Sequence, residues 1–237
     1  MKTRNFSLKQ GVALIYSVRA IALVLALSLT ALSSVAASAL EPIDTASSYQ
    51  VVVNKTRPLN PVTYRATDLV KVPKYNPYGR ILRREVSASV VRLGNAMKSA
   101  GKGTLIVQSG YRSYYSQRSI LAAKIKAIGK TKALKLVAKP GYSEHQTGLA
   151  VDFAARGVST LNVSFARTKA GIWLAANAYR YGFVLRYPSG KTAITGYSFE
   201  PWHFRYVGVT VATAMHDQGI KTLEEFYNLP AAPDYLN

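Results

Sequence analysis

Two short segments of the chain carry histidines beside acidic residues, and together they could form a metal site. The first contains His145 and, seven positions later, Asp152, with Gly148 between them to allow a tight turn; the second contains Glu200 and His203. Two imidazoles and a carboxylate suit zinc, and three protein ligands leave a fourth position open for water, as in catalytic sites. The pattern predicts metal-assisted hydrolysis with His145, Asp152 and His203 as ligands.

Glu200 is the candidate general base, because it lies close to His203 in the sequence and could take a proton from an activated water. An odd offset along a regular strand sends two side chains to opposite faces, so we expect Pro201 to mark a turn that brings both inward. Two alternatives stay open. Glu144, adjacent to His145, is a competing base, and Glu200 could be a surface carboxylate or a partner of a ligand.

Arg112 is the candidate substrate anchor. It stands in the segment 109–113, which we expect to form a sharp turn at a strand end, where functional side chains are commonly displayed. A guanidinium can hold a carboxylate through two parallel hydrogen bonds, which suits the recognition of a free peptide C-terminus. The third histidine, His216, is interpreted as a surface residue of a helix.

Residues 1–39 have the features of a secretory signal peptide: four cations, an apolar run that opens at Ile21, and a small-x-small triplet at 37–39. Arg19 interrupts the apolar stretch, and the run after this arginine is short for a bilayer, which disfavours the alternative of an uncleaved membrane anchor. We therefore expect a secreted or cell-envelope protein. The 198 residues that remain are enough for one well-packed domain.

The composition excludes some chemistries and suggests a class of partner. There is no cysteine, so disulfides, thiolate ligands and cysteine nucleophiles are excluded. Outside the leader, 27 Lys and Arg exceed 11 Asp and Glu, for a formal charge of +16. With an export signal, this excess predicts contact with an anionic cell wall or membrane surface. We expect no nucleic-acid partner and a monomer. A generic basic surface and a secreted nucleic-acid binder are the alternatives.

The order of expected elements predicts a single α+β domain in which helices cover an antiparallel sheet. Four prolines within 54–80 predict an extended N-terminal strap over the surface, which spans residues 40–80 and has a short strand at 51–53. Residues 81–229 form the core. Helices are expected near 82–97, 114–128, 169–179 and 209–218, and strands near 104–107, 149–154, 183–187 and 202–207. Thr168 and Thr222 are expected helix caps. Aromatic residues such as Tyr187 are assigned to the core.

These motifs closely resemble the VanY-type D-alanyl-D-alanine carboxypeptidases, zinc peptidases that trim the stem peptides of bacterial cell walls. The resemblance covers residues 50–228 and is carried by the segments 53–55, 109–117, 140–152, 181–188 and 195–208. It implies an α+β fold shared with the hedgehog signalling domain. It also implies specific site residues: zinc ligands His145, Asp152 and His203, the base Glu200, the substrate-anchoring Arg112, and the pocket residues Ser143 and Gln117.

The resemblance implies a zinc-dependent enzyme that releases the C-terminal D-alanine from peptidoglycan stem peptides. One alternative is an L,D-carboxypeptidase that acts on tetrapeptide stems; pocket shape separates these two activities, and the motifs do not. Another is a non-catalytic wall-binding module with the same fold. Retention of Glu200 together with all three candidate ligands argues against such a module.

Overall fold

The computed structural model describes residues 41–158 and 161–236, so the predicted signal peptide lies outside the described residues. Strands β1 (Leu69–Lys71) and β2 (Ile81–Arg83) pair with each other. The main sheet contains β3 (Leu105–Ser109), β4 (Ala150–Ala155), β5 (Phe183–Leu185) and β6 (His203–Tyr206). Its order is β3–β4–β6–β5, and every neighbouring pair is antiparallel. The predicted α+β class with an antiparallel sheet is confirmed.

Helices surround this sheet, and their two predicted caps are confirmed. The helices are α1 (Arg84–Ser99), α2 (Tyr114–Ile128), α3 (Lys130–Ala133), α4 (Lys169–Asn177), α5 (Thr192–Thr195), α6 (Val209–Asp217) and α7 (Leu223–Phe226). Before α4, the Thr168 hydroxyl accepts a hydrogen bond from the Gly171 N–H at 3.0 Å. Before α7, the Thr222 hydroxyl accepts one from the Glu225 N–H at 3.1 Å. Across the described ranges, no helix is both long and apolar enough to cross a membrane.

The main sheet has one apolar and one polar face because side chains alternate along each strand. In β4, Val151 and Phe153 join the hydrophobic core while Asp152 points to the other side. In β6, Phe204 joins the core while His203 points with Asp152. Helix α1 covers the apolar face with four residues at the predicted helical spacing: Val86, Val90, Leu93 and Met97. The polar face is left to carry the site.

The segment before β1 is coil interrupted by turns, rather than the predicted extended strap over the surface, and the predicted strand at 51–53 is wrong. These residues are buried coil. Their backbone groups bond to a loop and a side chain rather than to a neighbouring strand: the Val52 N–H donates to the Ile43 carbonyl at 2.9 Å, and the Val51 carbonyl accepts from Arg205 at 2.6 Å. Val51 and Val53 belong to the core, so this segment is packed into the body of the protein.

Gly148 lets the chain turn between His145 and β4. A short 3-10 turn, Glu144–Thr147, ends at this glycine, which has a φ of +71°. A Cβ added there would lie 2.9 Å from Leu69 Cδ2 and 3.0 Å from Arg83 Cγ. Both the backbone conformation and the close approach of β1 and β2 therefore require glycine at this position.

We expect the substitution Gly148→Ala to lower the free energy of unfolding by about 2–4 kcal/mol, since it combines left-handed backbone strain with overpacking. Urea denaturation measures this loss. Gly157→Ala is the matched control, because Gly157 has a φ of +80° but its added Cβ would meet nothing within 4 Å. The control should lose only about 1–2 kcal/mol. Equal losses at the two positions would show that the contacts around Gly148 do not matter.

Candidate metal centre and cleft

The three candidate ligands meet on the polar face of the sheet. Asp152 and His203 are direct cross-strand partners in β4 and β6, which sets their side chains next to each other. His145 arrives from the 3-10 turn before β4. One potential ligand atom from each residue lies within 4.8 Å of the other two, and all three residues are buried. The structure thus brings together the histidines and the aspartate that the motifs singled out.

Neighbouring groups determine which imidazole nitrogen faces the centre. Nδ1 of His145 lies 2.7 Å from the carbonyl oxygen of Gly110, so its N–H donates there and Nε2 faces Asp152 Oδ2 at 3.3 Å. His203 has the reverse arrangement: its Nδ1 lies 3.2 Å from Asp152 Oδ1, and its Nε2 lies 3.5 Å from Glu144 Oε2. Partners of this kind orient histidine ligands in metal sites.

The atoms that face each other here fit a zinc ion. Asp152 Oδ1 is buried and takes part in no hydrogen bond among the described residues, although it lies only 3.2 Å from His203 Nδ1. Tetrahedral bonds of about 2.1 Å would place neighbouring ligand atoms roughly 3.4 Å apart, close to the 3.2 Å between Asp152 Oδ1 and His203 Nδ1. His145 Nε2 lies at a similar distance, 3.3 Å, from the other oxygen of the same carboxylate, Oδ2. Two imidazole nitrogens and a carboxylate oxygen, with no sulfur, are also a suitable donor set.

Glu200 approaches the same point from a turn. The His203 N–H donates to the Glu200 carbonyl at 3.1 Å, and this turn brings Glu200 Oε2 to 3.7 Å from His203 Nδ1. The chain reversal at Pro201 thus removes the conflict that a regular strand would create. Burial raises the pKa of Glu200 to about 7, although the nearby His203 acts in the opposite direction. Such a carboxyl group can exchange a proton near neutral pH.

Glu144, the competing candidate for the base, is bound by two buried arginines. Its Oε1 accepts hydrogen bonds from Arg186 Nε at 2.8 Å and from Arg205 Nη1 at 2.9 Å, while its Oε2 faces His203. Burial disfavours its charged form, but the two guanidinium groups outweigh burial and lower the pKa of Glu144 well below its usual range. A carboxylate this firmly ionised is a poor proton acceptor, and its position suits it to orient the His203 ring.

A buried charge network holds Glu144 in place, and sequence reasoning missed it. Arg186 also donates two hydrogen bonds, at 2.8 and 2.7 Å, to Glu224 of α7. Arg205 donates to backbone carbonyls as well, including that of Val51. All four charged side chains are fully buried and their charges balance, as buried ions require. One sequence signal could have indicated this network: Arg186 directly follows the short apolar strand β5, and Arg205 lies within the short strand β6.

A cleft of about 670 Å³ opens over the centre, and every predicted site residue lines it. Arg112 donates from Nη2 to Asp152 at 2.7 Å and from Nε and Nη2 to Ser109, so within the described ranges its Nη1 has no hydrogen-bond partner. Gln117 donates from Nε2 to the Ala138 carbonyl at 2.9 Å, while its buried Oε1 has no partner there. Both side chains therefore keep polar atoms available in the cleft.

Two tyrosines that were not among the predicted site residues also line the cleft. Tyr187 was assigned to the core and is indeed buried, but it also lines the cleft, with its ring centroid 4.8 Å from that of His203. Tyr197 extends this aromatic wall, with its centroid 4.7 Å from that of Tyr187. His216 is exposed and stacks on the Tyr179 ring, so its predicted surface position is confirmed.

Comparison with protein families and curated proteins finds related carboxypeptidases. The family model for VanY, D-alanyl-D-alanine carboxypeptidase, matches residues 79–209. The Bacillus subtilis (strain 168) protein YodJ, which is named as a carboxypeptidase, is 40% identical over 199 residues, which cover 79% of this chain and 70% of YodJ. A D-alanyl-D-alanine carboxypeptidase of Enterococcus faecalis (strain ATCC 700802 / V583) is 47% identical over 132 residues, which cover 52% of this chain and 47% of that protein.

Solved structures of similar proteins include an LD-carboxypeptidase and D,D-peptidases. The LdcB LD-carboxypeptidase has a TM-score of 0.71 and 38% identity, and the match covers 77% of this chain and 87% of LdcB. The vancomycin-resistance D,D-pentapeptidase VanY in complex with Zn(II) has a TM-score of 0.64 and 36% identity, with coverage of 75% and 98%. VanYB in complex with D-alanine-D-alanine has a TM-score of 0.63 and 38% identity, with coverage of 75% and 96%.

We expect the substitution Glu144→Gln to weaken zinc binding by about 10- to 100-fold, because it removes the negative charge that faces Nε2 of His203 at 3.5 Å. Competition with a chromogenic chelator measures the affinity at a temperature where the variant is folded. Glu224→Gln is the matched control: it also removes a buried carboxylate bound to Arg186, so it should lose stability by a comparable amount, but it does not contact His203. Equal zinc affinities in the two variants would refute the orienting role of Glu144.

Proposed function

The chain belongs to the VanY D-alanyl-D-alanine carboxypeptidase family, and on that premise we propose that it is a zinc-dependent carboxypeptidase that removes the C-terminal D-alanine from peptidoglycan stem peptides. The observation that carries this proposal is the meeting of His145, Asp152 and His203 beside a buried Glu200 in a single cleft. Family relatives that bind Zn(II) and D-alanine-D-alanine support the metal and the substrate.

His145 through Nε2, Asp152 through its carboxylate and His203 through Nδ1 would hold the zinc ion. When bound, zinc supplies Lewis-acid polarisation of a peptide carbonyl and acidifies water. The protein prepares these ligands in advance. Gly110 keeps the proton of His145 on Nδ1, so Nε2 of that ring keeps its lone pair. In His203, Glu144 Oε2 faces Nε2 at 3.5 Å and leaves Nδ1 toward Asp152.

Glu200 is the proton carrier in this proposal. Its Oε2 lies 3.7 Å from His203 Nδ1, so it stands next to the place where water would attack the peptide carbonyl. It accepts a proton from that water as the new carbon–oxygen bond forms. It then returns the proton to the nitrogen of the departing D-alanine as the carbon–nitrogen bond breaks. A raised pKa suits both transfers, because a group near the working pH can accept and release a proton.

The walls of the cleft bind the peptide. Arg112 can direct its free Nη1 at the carboxylate of the substrate, while its bonds to Asp152 and Ser109 hold the guanidinium in one plane. Gln117 Oε1 is fixed as an acceptor for a peptide N–H, because its amide nitrogen is bound to the Ala138 carbonyl. Ser143 lines the same cleft and can donate or accept.

An L,D-carboxypeptidase is the second candidate, and one observation favours it. LdcB, an LD-carboxypeptidase, has a higher TM-score to this chain than either VanY structure compared above. The two activities differ in the residue before the cleaved bond, which is D-alanine in a pentapeptide stem and an L-residue centre in a tetrapeptide stem. Release of D-alanine from each of these two peptides, compared as kcat/KM, decides between them.

We also propose that the enzyme works outside the cytoplasm, in the cell envelope or in the surrounding medium, after removal of residues 1–39. The basic leader, the apolar run and the small-residue triplet support this proposal. The formal charge of +16 on the remainder suits an anionic wall or membrane surface. N-terminal sequencing of the exported protein tests it, and a mature chain that still begins at Met1 would contradict it.

We expect the substitution Glu200→Gln to reduce D-alanine release by about 10²- to 10⁴-fold, because the amide cannot carry the proton. Thermal unfolding and zinc content should remain near those of the wild type. Chelation should abolish wild-type activity, and added zinc should restore it. Glu225→Gln, which changes a surface carboxylate paired with Lys191, is the control and should keep its activity. Full activity in Glu200→Gln would eliminate Glu200 as the base.

A further inference from the structure

Helix α2 runs outward from the metal centre along the cleft. It begins just after Arg112, which contacts Asp152. Four of its residues line the cleft at spacings that place them on one side of a helix: Ser116, Gln117, Ile120 and Lys124. A helix rises about 1.5 Å per residue, so Lys124 lies roughly 12 Å along the axis from Ser116. This side chain therefore belongs to the outer part of the cleft.

The cleft-lining side of α2 is long enough to lie along several residues of a bound peptide. An extended peptide advances about 3.3 Å per residue, so roughly 12 Å corresponds to between three and four residues. A carboxypeptidase of this kind releases one terminal residue. The only part of the peptide that can reach Lys124 is therefore the part before the cleaved bond, on the acyl side.

Two cations that line the cleft, Lys124 and Arg80, form no ion pair among the described residues. Lys124 is half-buried, and in the described part of the chain its ammonium group has neither a hydrogen bond nor an ion pair. Arg80 lines the same cleft; its Nε donates to the Gln108 carbonyl at 3.0 Å, while its terminal nitrogens have no hydrogen-bond partner among the described residues. The acidic residues that line the cleft are those of the metal centre: Glu144, Asp152 and Glu200.

The surrounding chain strengthens this positive field. Residues 114–143, which include α2 and α3, contain seven cations and no Asp or Glu: Arg118, Lys124, Lys126, Lys130, Lys132, Lys135 and Lys139. A cleft wall with one sign of charge attracts ligands of the opposite sign. A half-buried ammonium group and an anchored guanidinium bind carboxylates through charge-assisted hydrogen bonds.

We propose that Lys124 and Arg80 bind a free carboxylate on the acyl side of the substrate, two to four residues before the cleaved bond. The preferred substrate class is then a D-alanine-terminated stem peptide that keeps this carboxylate, rather than one in which it is amidated. The inference rests on the proposed carboxypeptidase function and assigns a specificity to the same cleft.

Two synthetic pentapeptides test the proposal: acetyl-L-alanyl-γ-D-glutamyl-L-lysyl-D-alanyl-D-alanine with the α-carboxyl group of its glutamate either free or amidated. We expect the zinc-loaded wild type to have a kcat/KM about tenfold higher for the free acid. Lys124→Gln and Arg80→Gln should each reduce this ratio, and the double variant should bring it close to one. Added salt should reduce the wild-type ratio, because screening weakens the attraction. If tetrapeptides prove to be the better substrates, the same pair without the last residue is used.

Lys126→Gln is the matched control, because it removes a cation from the same helix at a position that does not line the cleft. It should keep the wild-type ratio. Equal rates for the two peptides in the wild type, or a ratio that survives in the double variant, would overturn the proposal while leaving the carboxypeptidase function intact. A wild type that releases D-alanine from neither pentapeptide nor tetrapeptide would overturn both.

Discussion

The pairing register of β4 with β6 is the constraint on which the site depends. It sets Asp152 directly opposite His203, and the alternation of the two strands turns both away from the hydrophobic core. A slip of one residue would put Val151 or Phe204 on the polar face. A β-bulge in β3 contributes to the same arrangement, since the register shifts between Val107 and Ser109 and brings Ser109 opposite Asp152. Ser109 then accepts from Arg112, which holds this arginine against Asp152.

Charges beneath this face are tolerated because two arginines balance two glutamates and hydrogen bonds join them. Each buried ion would cost several kcal/mol if left alone. Arg186 directs its donors to two carboxylates, and Arg205 directs its donors to Glu144 and to backbone carbonyls. As a result, Glu144 is held charged and immobile behind His203. Behind His203 the network thus takes the place of apolar packing. It provides a fixed charge that can orient this ligand, which hydrophobic contact cannot do.

The local sequence was sufficient to predict most helices and strands and the principal site residues. It was insufficient to predict the buried charge network that holds those residues in place. The spacing of Val86, Val90, Leu93 and Met97 predicted a helix because periodicity is a property of neighbouring positions. The valines at 51–53 led to a wrong strand prediction because a strand also needs a neighbouring strand to bond with. The Val51 carbonyl bonds instead to the side chain of Arg205, about 150 positions later. The role of Glu144 was hidden for the same reason, since it depends on Arg186 and Arg205, which the sequence separates from it by 42 and 61 positions.

The pairing of Arg186 with Glu224 constrains the order in which the protein folds. The carboxylate that completes the pairing of Arg186 comes from Glu224 in α7. Until that helix docks, Arg186 lacks half of its counter-charge. A growing polypeptide therefore cannot complete this charge network before residues 223–226 have been synthesised. Truncation shortly before residue 223 should yield a fragment that retains every catalytic group and still lacks the framework that makes them cooperate.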